Sequence, residues 1–255
     1  MQTGSSDTTS ACLLVHGLNG SPYDMKDLAT HLQQHGIAAE TVLLPGHDIH
    51  HRPAARFGWD DWLGAVMQRF DDLAQRHEKV TIVGHSLGGA LAISVAAHDP
   101  RVAAIATLCA PMELYPGLHS LLNVSRHITP YFPIFREDIS DRVERTTYRR
   151  RKVTNMIPIA PLRTLLRALP AVRVALTRIT CPALVIAARN DHVVPMRDGL
   201  FVYQHIGSPD KELVILDRSW HMVTRDVERE AVATNVTAFL LRVANGDSTV
   251  AAPLF

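Results

Sequence analysis

The sequence predicts an α/β fold, in which a mostly parallel central sheet is covered by helices on both faces. Short apolar runs alternate with amphipathic stretches along most of the 255 residues. Strands of a parallel sheet are buried on both faces and joined by crossover helices, so they appear as nearly continuous apolar runs. Hydrophobic residues make up 47% of the chain, which is enough for the core of one domain.

The apolar runs and the amphipathic stretches predict the individual strands and helices. Six apolar runs are predicted strands: Ala11–His16, Glu40–Leu44, Lys79–Gly84, Val102–Cys109, Ala183–Ala188 and Glu212–Leu216. The amphipathic stretches are predicted helices: Tyr23–Gln34, Trp59–Arg76, Ser86–Ala97, Met196–Gln204 and Glu228–Val243. The first helix should begin near Pro22, because proline suits the first turn of a helix. Another helix is expected over Pro161–Thr177, kinked or split at Pro170 because proline lacks the N–H that a helix needs.

The segment from Met112 to about Ala160 interrupts the alternation. It has no clear strand, contains several prolines and includes the basic run Arg149–Lys152. It follows a strand, so it emerges at the carboxyl edge of the sheet, where function collects in α/β proteins. We therefore expect residues 112–160 to form a cap over a core made of residues 1–111 and 161–255; a plain surface excursion is the alternative. The basic run is expected to be a solvated face rather than a phosphate- or membrane-binding site.

Residues 80–89, Val-Thr-Ile-Val-Gly-His-Ser-Leu-Gly-Gly, predict a nucleophilic serine. An apolar strand runs into Gly84, and a predicted helix starts at Ser86. Glycines two positions before and after the serine let strand and helix pass closely, so the turn exposes the Ser86 hydroxyl beyond the sheet. The turn also leaves the amide of Leu87 free at a helix N-terminus, as a donor for developing negative charge. An ordinary serine in a tight turn is the alternative.

A serine nucleophile needs a base, and the base needs a carboxylate that selects its tautomer. His221 follows the last predicted strand, and Asp191 follows the strand before it, so both lie at the same edge of the sheet as Ser86. The chain order Ser86, Asp191, His221 is typical of a catalytic triad built on strand ends. Asp198 and Asp217 are nearby rivals for the carboxylate position.

The loop after the first strand, His16-Gly-Leu-Asn-Gly20, is predicted to supply the second donor of an oxyanion hole. Gly17 lets the backbone bend, so the amide of Leu18 can face the same oxygen as the amide of Leu87. His16 is expected to brace this loop by hydrogen bonding.

Composition argues against several other classes of protein. The formal net charge is +1, so no nucleic-acid partner is expected. No apolar run approaches the roughly 18 residues that a membrane span needs, and Met1–Ser10 has no apolar signal core. Cys12, Cys109 and Cys181 lack the spacing of a metal site and indicate buried thiols in a reducing compartment. A cytoplasmic protein that needs no metal or organic cofactor is expected, and its oligomeric state is not predicted.

Six motifs together resemble the bacterial carboxylesterase and monoacylglycerol lipase group of the α/β-hydrolase fold, over about residues 11–241. They are His16-Gly-Leu-Asn-Gly20, Leu44-Pro-Gly-His-Asp48, Gly84-His-Ser-Leu-Gly-Gly89, Cys109-Ala-Pro-Met112, Ala188-Arg-Asn-Asp191 and Ser219-Trp-His221. The resemblance implies a small-molecule ester as substrate, with a short- to medium-chain acyl group, including monoacylglycerols. It also implies Ser86, Asp191 and His221 as catalytic residues, with Leu18 and Leu87 as oxyanion donors.

Substrate contacts are predicted from position. Met112 is one of several apolar residues of the expected cap, which would either line an acyl tunnel or pack inside the cap. Trp220, next to His221, is a candidate substrate contact, with core packing as the alternative. The chain has Asp48 where monoacylglycerol lipases often carry glycine, so the pockets are expected to differ. A hydrolase of thioesters or carbon–carbon bonds, and a non-catalytic ligand-binding protein, remain alternatives.

Overall fold

The computed structural model describes residues 10–47, 56–113, 129–133, 137–151 and 156–247. The strands within these residues are β1 (Ser10–Val15), β2 (Ala38–Val42), β3 (Lys79–His85), β4 (Val102–Leu108), β5 (Tyr131–Pro133), β6 (Met156–Pro158), β7 (Ala183–Ala188) and β8 (Lys211–Leu216). Six of them form one sheet in the order β2-β1-β3-β4-β7-β8, and every pair of neighbours is parallel. The six predicted strands are therefore confirmed, each within two residues of its observed bounds.

The described helices are α1 (Lys26–Gln34), α2 (Trp59–Ala74), α3 (Leu87–Ala96), α4 (Arg142–Arg151), α5 (Ile159–Ala175), α6 (Met196–His205) and α7 (Arg229–Asn245). A 3-10 turn over Pro22–Met25 precedes α1. The predicted split at Pro170 is wrong, because α5 runs unbroken through it. Leu169 and Val172 on either side of the proline are buried in the core, so packing outweighs the helical hydrogen bond that proline removes.

Both faces of the sheet are covered, as the sequence predicts. On one face α2, α3 and α5 pack together, with Trp62 and Phe70 fully buried among them. On the other face α1 packs against α7, around Met25 and Phe239. A parallel sheet buried on both sides presents its strand ends as the open edge, and this edge carries the candidate site.

The strand order brings the loops of interest together. The chain runs from β1 outward to β2 and then returns to place β3 on the other side of β1. The loops after β1 and β3 therefore separate at a topological switch point, where α/β sheets form a crevice for ligands. Strands β7 and β8 lie side by side, so the loops that follow them also meet at this edge.

The segment between β4 and α5 differs from its prediction. No strand was predicted there, but β5 pairs with β6 in an antiparallel ribbon, and α4 lies between them. Each of these strands has three residues and ends in proline, so neither has the alternating pattern that reveals a strand. Much of the expected cap, including most of its apolar side chains and Lys152, lies outside the described residues. The cap and its bounds stay a prediction.

Gly84→Ala is expected to destabilise the fold strongly, because β3 and α3 cross at close range. A Cβ at residue 84 would lie 2.1 Å from the carbonyl oxygen of Gly88, which is main chain and cannot rotate away. The expected loss in free energy of unfolding is about 3 kcal/mol, the upper end of typical overpacking costs. Gly64→Ala in α2 is the matched control: its Cβ would meet nothing within 4 Å, so it should stabilise by about 0.5–1 kcal/mol. Urea unfolding of both variants tests this, and a Gly84→Ala protein as stable as the wild type would contradict it.

Candidate active site

Ser86 lies in the turn between β3 and α3 with a strained backbone. Its φ of 53° and ψ of −118° fall in a region that residues other than glycine rarely occupy. The amide of Ser86 donates to the carbonyl of Leu108 in β4 at 2.8 Å, which holds the turn against the neighbouring strand. Strain of this kind costs about 1–3 kcal/mol and clusters at functional sites. The side chain makes no capping hydrogen bond to α3, so the hydroxyl is not committed to the helix.

The loop after β1 packs directly against this turn. A Cβ at residue 17 would lie 3.2 Å from Cβ of Ser86 and 3.1 Å from Nδ1 of His85, so glycine permits the approach. Within the described part of the chain, neither the amide of Leu18 nor that of Leu87 donates a hydrogen bond. Two uncommitted main-chain donors therefore flank the contact between Gly17 and Ser86.

His16 braces this loop, as the sequence predicts. Its Nδ1 donates to the carbonyl oxygen of Gly17 at 2.9 Å, and its Nε2 accepts from the amide of Leu44 at 3.2 Å. Burial, assisted by the charge of His47, lowers the pKa of His16 to about 3. The ring is therefore neutral at physiological pH and can accept at one nitrogen while donating at the other, which ties the loop after β1 to the loop after β2.

The loops after β7 and β8 bring a carboxylate and an imidazole together. Nδ1 of His221 donates to Oδ2 of Asp191 at 2.7 Å. The other carboxylate oxygen accepts the amides of Val193 at 2.8 Å and Val194 at 2.7 Å. Burial raises the pKa of Asp191, but the charge and hydrogen bond of His221 and these two amides outweigh it, so the net pKa lies below the ordinary value. An ionised Asp191 keeps the proton on Nδ1 and leaves Nε2 of His221 as the proton acceptor.

The basicity of His221 reflects opposing effects. Burial lowers its pKa, because the imidazolium loses water. The charge and hydrogen bond of Asp191, together with the charge of Asp138, outweigh burial and raise the pKa of His221 above its ordinary value. His221 is therefore a stronger base than an isolated histidine.

His85 holds the main chain of the loop after β8, which carries His221 and is called the histidine loop. Sequence analysis missed this role. Its Nε2 donates to the carbonyl oxygen of His221 at 2.9 Å, and the two ring centroids lie 4.9 Å apart. Burial, together with the charge of His221, lowers the pKa of His85 to about 3, so the ring is neutral near physiological pH. The position of His85 immediately before Ser86 is the one sequence signal that could have indicated it.

Cys109 is the third group against the Asp191–His221 pair. One ligand-type atom from each of the three residues lies within 4.8 Å of the others. Burial raises the pKa of the Cys109 thiol far above its ordinary value, and the charge of Asp191, to which the thiol is hydrogen-bonded, raises it further. A protonated thiol donates to a carboxylate but ligates a metal poorly. The arrangement therefore suits hydrogen bonding to Asp191 better than metal ligation.

The rivals of Asp191 have other partners. Asp198 accepts the amides of Met112 and Glu113 at 2.7 and 3.0 Å. Asp217 has a side chain 69% exposed and pairs with Arg189 at 2.8 Å. Asp191 alone of the three carboxylates is hydrogen-bonded to the ring of His221 in the described structure.

The two predicted substrate contacts lie in different surroundings. Met112 is 1% exposed and packs within the main apolar core. Trp220 is partly exposed, with its ring edge-on to His192 at 4.9 Å between centroids and the guanidinium of Arg145 5.7 Å away. Trp220 is thus the one with surface to offer a ligand, and a substrate role for either residue stays a prediction.

Two features of the structure concern possible contact with a membrane: the basic run and the length and apolarity of the helices. Arg149 donates to the buried carboxylate of Glu137 at 2.9 Å, so this member of the run has a partner within the protein. Among the residues that the structure describes, no helix is both long and apolar enough to cross a bilayer.

The fold and this site define the class of protein. A strained serine between β3 and α3, followed by a carboxylate after β7 and a histidine after β8, characterises the α/β-hydrolase fold. The chain belongs to the family whose model is described as Serine aminopeptidase, S33 (Hydrolase_4), which matches residues 6–228.

Two relatives and one solved structure that are similar to this chain are named as ester hydrolases or lipolytic enzymes. The chain is 30% identical over 234 residues to a thermostable monoacylglycerol lipase of Bacillus sp. (strain H-257), covering 90% of each protein. It is 27% identical to a carboxylesterase of Bacillus subtilis (strain 168), over 90% of this chain and 92% of the relative. A solved structure from the metagenome-derived lipolytic enzymes LipS and LipT has a TM-score of 0.85 at 28% identity, covering 92% of this chain and 94% of its own.

A solved structure with lower sequence identity shares the fold. A soluble variant of monoglyceride lipase from Saccharomyces cerevisiae has a TM-score of 0.81 at 15% identity, and the match covers 97% of this chain and 90% of that one. At this identity the likeness confirms the fold alone.

Proposed function

We propose that the protein hydrolyses short- to medium-chain acyl esters, including monoacylglycerols, through an acyl-enzyme on Ser86. The protein is a carboxylic ester hydrolase of the α/β-hydrolase fold. The observation that carries the finer proposal is the bond between Nδ1 of His221 and Asp191 at 2.7 Å. The main chain of His221 is in turn bonded to His85, the residue before the strained serine. Because the bond to Asp191 commits Nδ1, His221 can take a proton only at Nε2.

In the first half-reaction, Nε2 of His221 takes the proton of the Ser86 hydroxyl as Oγ attacks the ester carbonyl. The carbonyl oxygen becomes an oxyanion, which the uncommitted amides of Leu18 and Leu87 stabilise; a lost donor of this kind costs about 2.7–4 kcal/mol in other enzymes. The imidazolium, stabilised by Asp191, then gives its proton to the leaving alcohol as the carbon–oxygen bond breaks. The products are the free alcohol and an acyl ester of Ser86.

In the second half-reaction, water repeats the sequence. His221 takes one proton from the water as its oxygen attacks the acyl carbonyl, and the same two amides stabilise the oxyanion. The proton then returns to Oγ of Ser86, which leaves as the carboxylic acid is released. The proposal uses only protein groups and water, with no metal or organic cofactor.

The proposal includes a small-molecule ester as the substrate and a cytoplasmic location for the protein. The location is supported by three unpaired cysteines, of which Cys12 and Cys109 are buried, as expected of thiols in a reducing compartment. The near-balanced charge of the chain supports the expectation of no nucleic-acid partner.

The test is turnover of p-nitrophenyl esters from acetyl to palmitoyl, with monoacylglycerols in parallel and Ser86→Ala as the blank. We expect an optimum at short to medium chain length. The series also includes an amino-acid p-nitroanilide, because the description of the matching family model is that of a serine aminopeptidase. Turnover of the anilide without any oxygen ester would overturn the proposal. An acyl thioester completes the series, and its turnover without any oxygen ester would move the reaction to thioester hydrolysis.

The pH profile of kcat/KM should report the raised pKa of His221. The mechanism needs the neutral base, and protonation below its pKa removes it, so activity falls on the acid side. Because the pKa of His221 is raised, half of the activity should be lost at a pH above 6.5. The rings of His16 and His85, with pKa values of about 3, do not titrate in that range. A midpoint below 6.5 would contradict this prediction.

A further inference from the structure

We propose that Asp138, which lies in the segment between β5 and α4, is a positioning residue. It holds the loops that carry Asp191 and His221 at the spacing that their hydrogen bond needs. The inference rests on the proposed function, because it assigns Asp138 a part in the reaction of Ser86. Asp138 is 8% exposed, so its contacts are shielded from water and worth more than surface ones.

The hydrogen bonds of Asp138 reach both loops at once. Oδ2 accepts the amide of His221 at 2.9 Å and the amide of His192 at 3.1 Å. Oδ1 accepts from Nδ1 of His192 at 2.8 Å, and the main-chain carbonyl of Asp138 accepts the amide of Met222 at 3.0 Å. His192 is the neighbour of Asp191 in sequence. A single residue therefore spans the loop of the catalytic base and the loop of its carboxylate.

A second carboxylate makes the reciprocal connection. Asp226 belongs to the histidine loop, and its Oδ2 accepts the amides of Trp220 and Ser140, each at 2.8 Å. Its Oδ1 accepts the amide of Asp141 at 2.9 Å and the hydroxyl of Ser140 at 2.6 Å. The inserted segment and the histidine loop thus each place a carboxylate on the main chain of the other. The residues between β5 and α4 therefore support the histidine loop through hydrogen bonds in both directions.

The geometry explains why such a support matters. The sheet orders β7 and β8 only to Ala188 and Leu216, and both catalytic side chains lie beyond these ends. The His221–Asp191 bond of 2.7 Å depends on the spacing of the two loops. A displacement of 1 Å in a catalytic group can cost about 100-fold in rate. Asp138 connects the two loops beyond the point where strand pairing ends.

Asp138 also acts on His221 through its charge. The groups that face the imidazole are Asp191 after β7, Asp138 from the insertion, His85 before Ser86 and Cys109 after β4. The pKa of His85 is about 3 and that of the Cys109 thiol is far above its ordinary value, so both are neutral during turnover. Asp226 reaches the main chain at Trp220 rather than the ring. Asp138 is therefore the second negative charge that favours the imidazolium formed during the reaction.

Two substitutions separate positioning from charge. Asp138→Ala removes every side-chain acceptor, and we expect kcat to fall about 10- to 100-fold with little change in KM. Asp138→Asn keeps an oxygen for the two main-chain amides and can present its NH₂ to His192, but it lacks the charge. On the alkaline plateau of the pH profile, we expect kcat/KM to fall less in Asp138→Asn than in Asp138→Ala. The acid limb should move to lower pH, because a charge that raises the pKa of His221 is gone.

Glu137→Gln is the matched control. Glu137 is a buried carboxylate one residue away that pairs with Arg149 at 2.9 Å. Its replacement should leave the midpoint of the pH profile in place. Wild-type kcat in Asp138→Ala, or an unmoved acid limb in Asp138→Asn, would overturn the inference; if the alanine variant does not fold, the asparagine variant decides. These outcomes are separate from the proposed function, which fails if Ser86→Ala keeps its activity or if the wild type cleaves the anilide but no oxygen ester.

Discussion

Ser86→Ala is expected to lower kcat for a short-chain p-nitrophenyl ester by about 10⁶-fold, the loss that removal of a triad serine causes elsewhere. Without Oγ no acyl-enzyme can form, and His221 has no nucleophile to activate. The amides of Leu18 and Leu87 remain, so about 10³- to 10⁴-fold catalysis over water can persist. The protein should still fold, because the hydroxyl does not cap α3 and the strained turn is held by main-chain bonds to β4.

Ser94→Ala is the matched control for this variant. Ser94 lies on α3, the helix that begins directly after Ser86; it is 7% exposed and its hydroxyl donates to the carbonyl of Ala90 at 3.0 Å. Its loss should cost about 1 kcal/mol of stability and leave kcat unchanged. Full esterase activity in Ser86→Ala beside an active Ser94→Ala would show that another nucleophile carries the reaction.

Asp191→Asn is expected to lower kcat by about 10⁴-fold while the site keeps its shape. The amide oxygen can still accept the main-chain N–H groups of Val193 and Val194, as Oδ1 does in the native protein. The NH₂ group would then face Nδ1 of His221 and favour the tautomer with its proton on Nε2. In that tautomer His221 cannot take the proton of Ser86, so chemistry is lost without loss of fold.

Asp217→Asn provides the comparison, because Asp217 follows the next strand but pairs with exposed Arg189. A surface change of this kind alters stability by about 0.5 kcal/mol or less and should leave the rate unaffected. Kinetics and thermal unfolding of both variants test the assignment. If Asp191→Asn retained a rate within about ten-fold of the wild type, or if Asp217→Asn lost as much, the carboxylate would have to be reassigned.

The sheet was predictable because each of its strands carries a local signal. Strand β7, Ala-Leu-Val-Ile-Ala-Ala, is buried at every residue, and such a run has few other stable environments. The ribbon of β5 and β6 was not predictable, since its short strands are stabilised by partners distant in sequence. The continuity of α5 through Pro170 has the same explanation, because core packing on both sides of the proline decides it.

The sequence by itself determined the class of fold, the strained position of Ser86 between two glycines and the order of the carboxylate and histidine behind it. Each depends on residues adjacent in the chain, whose backbone preferences and burial act locally. The tertiary structure alone decided that Asp191 is the carboxylate on His221, that His85 holds the histidine carbonyl, and that Asp138 spans both loops. These contacts join residues from four separate segments. Their energy depends on distance and burial, which exist only once the chain has folded.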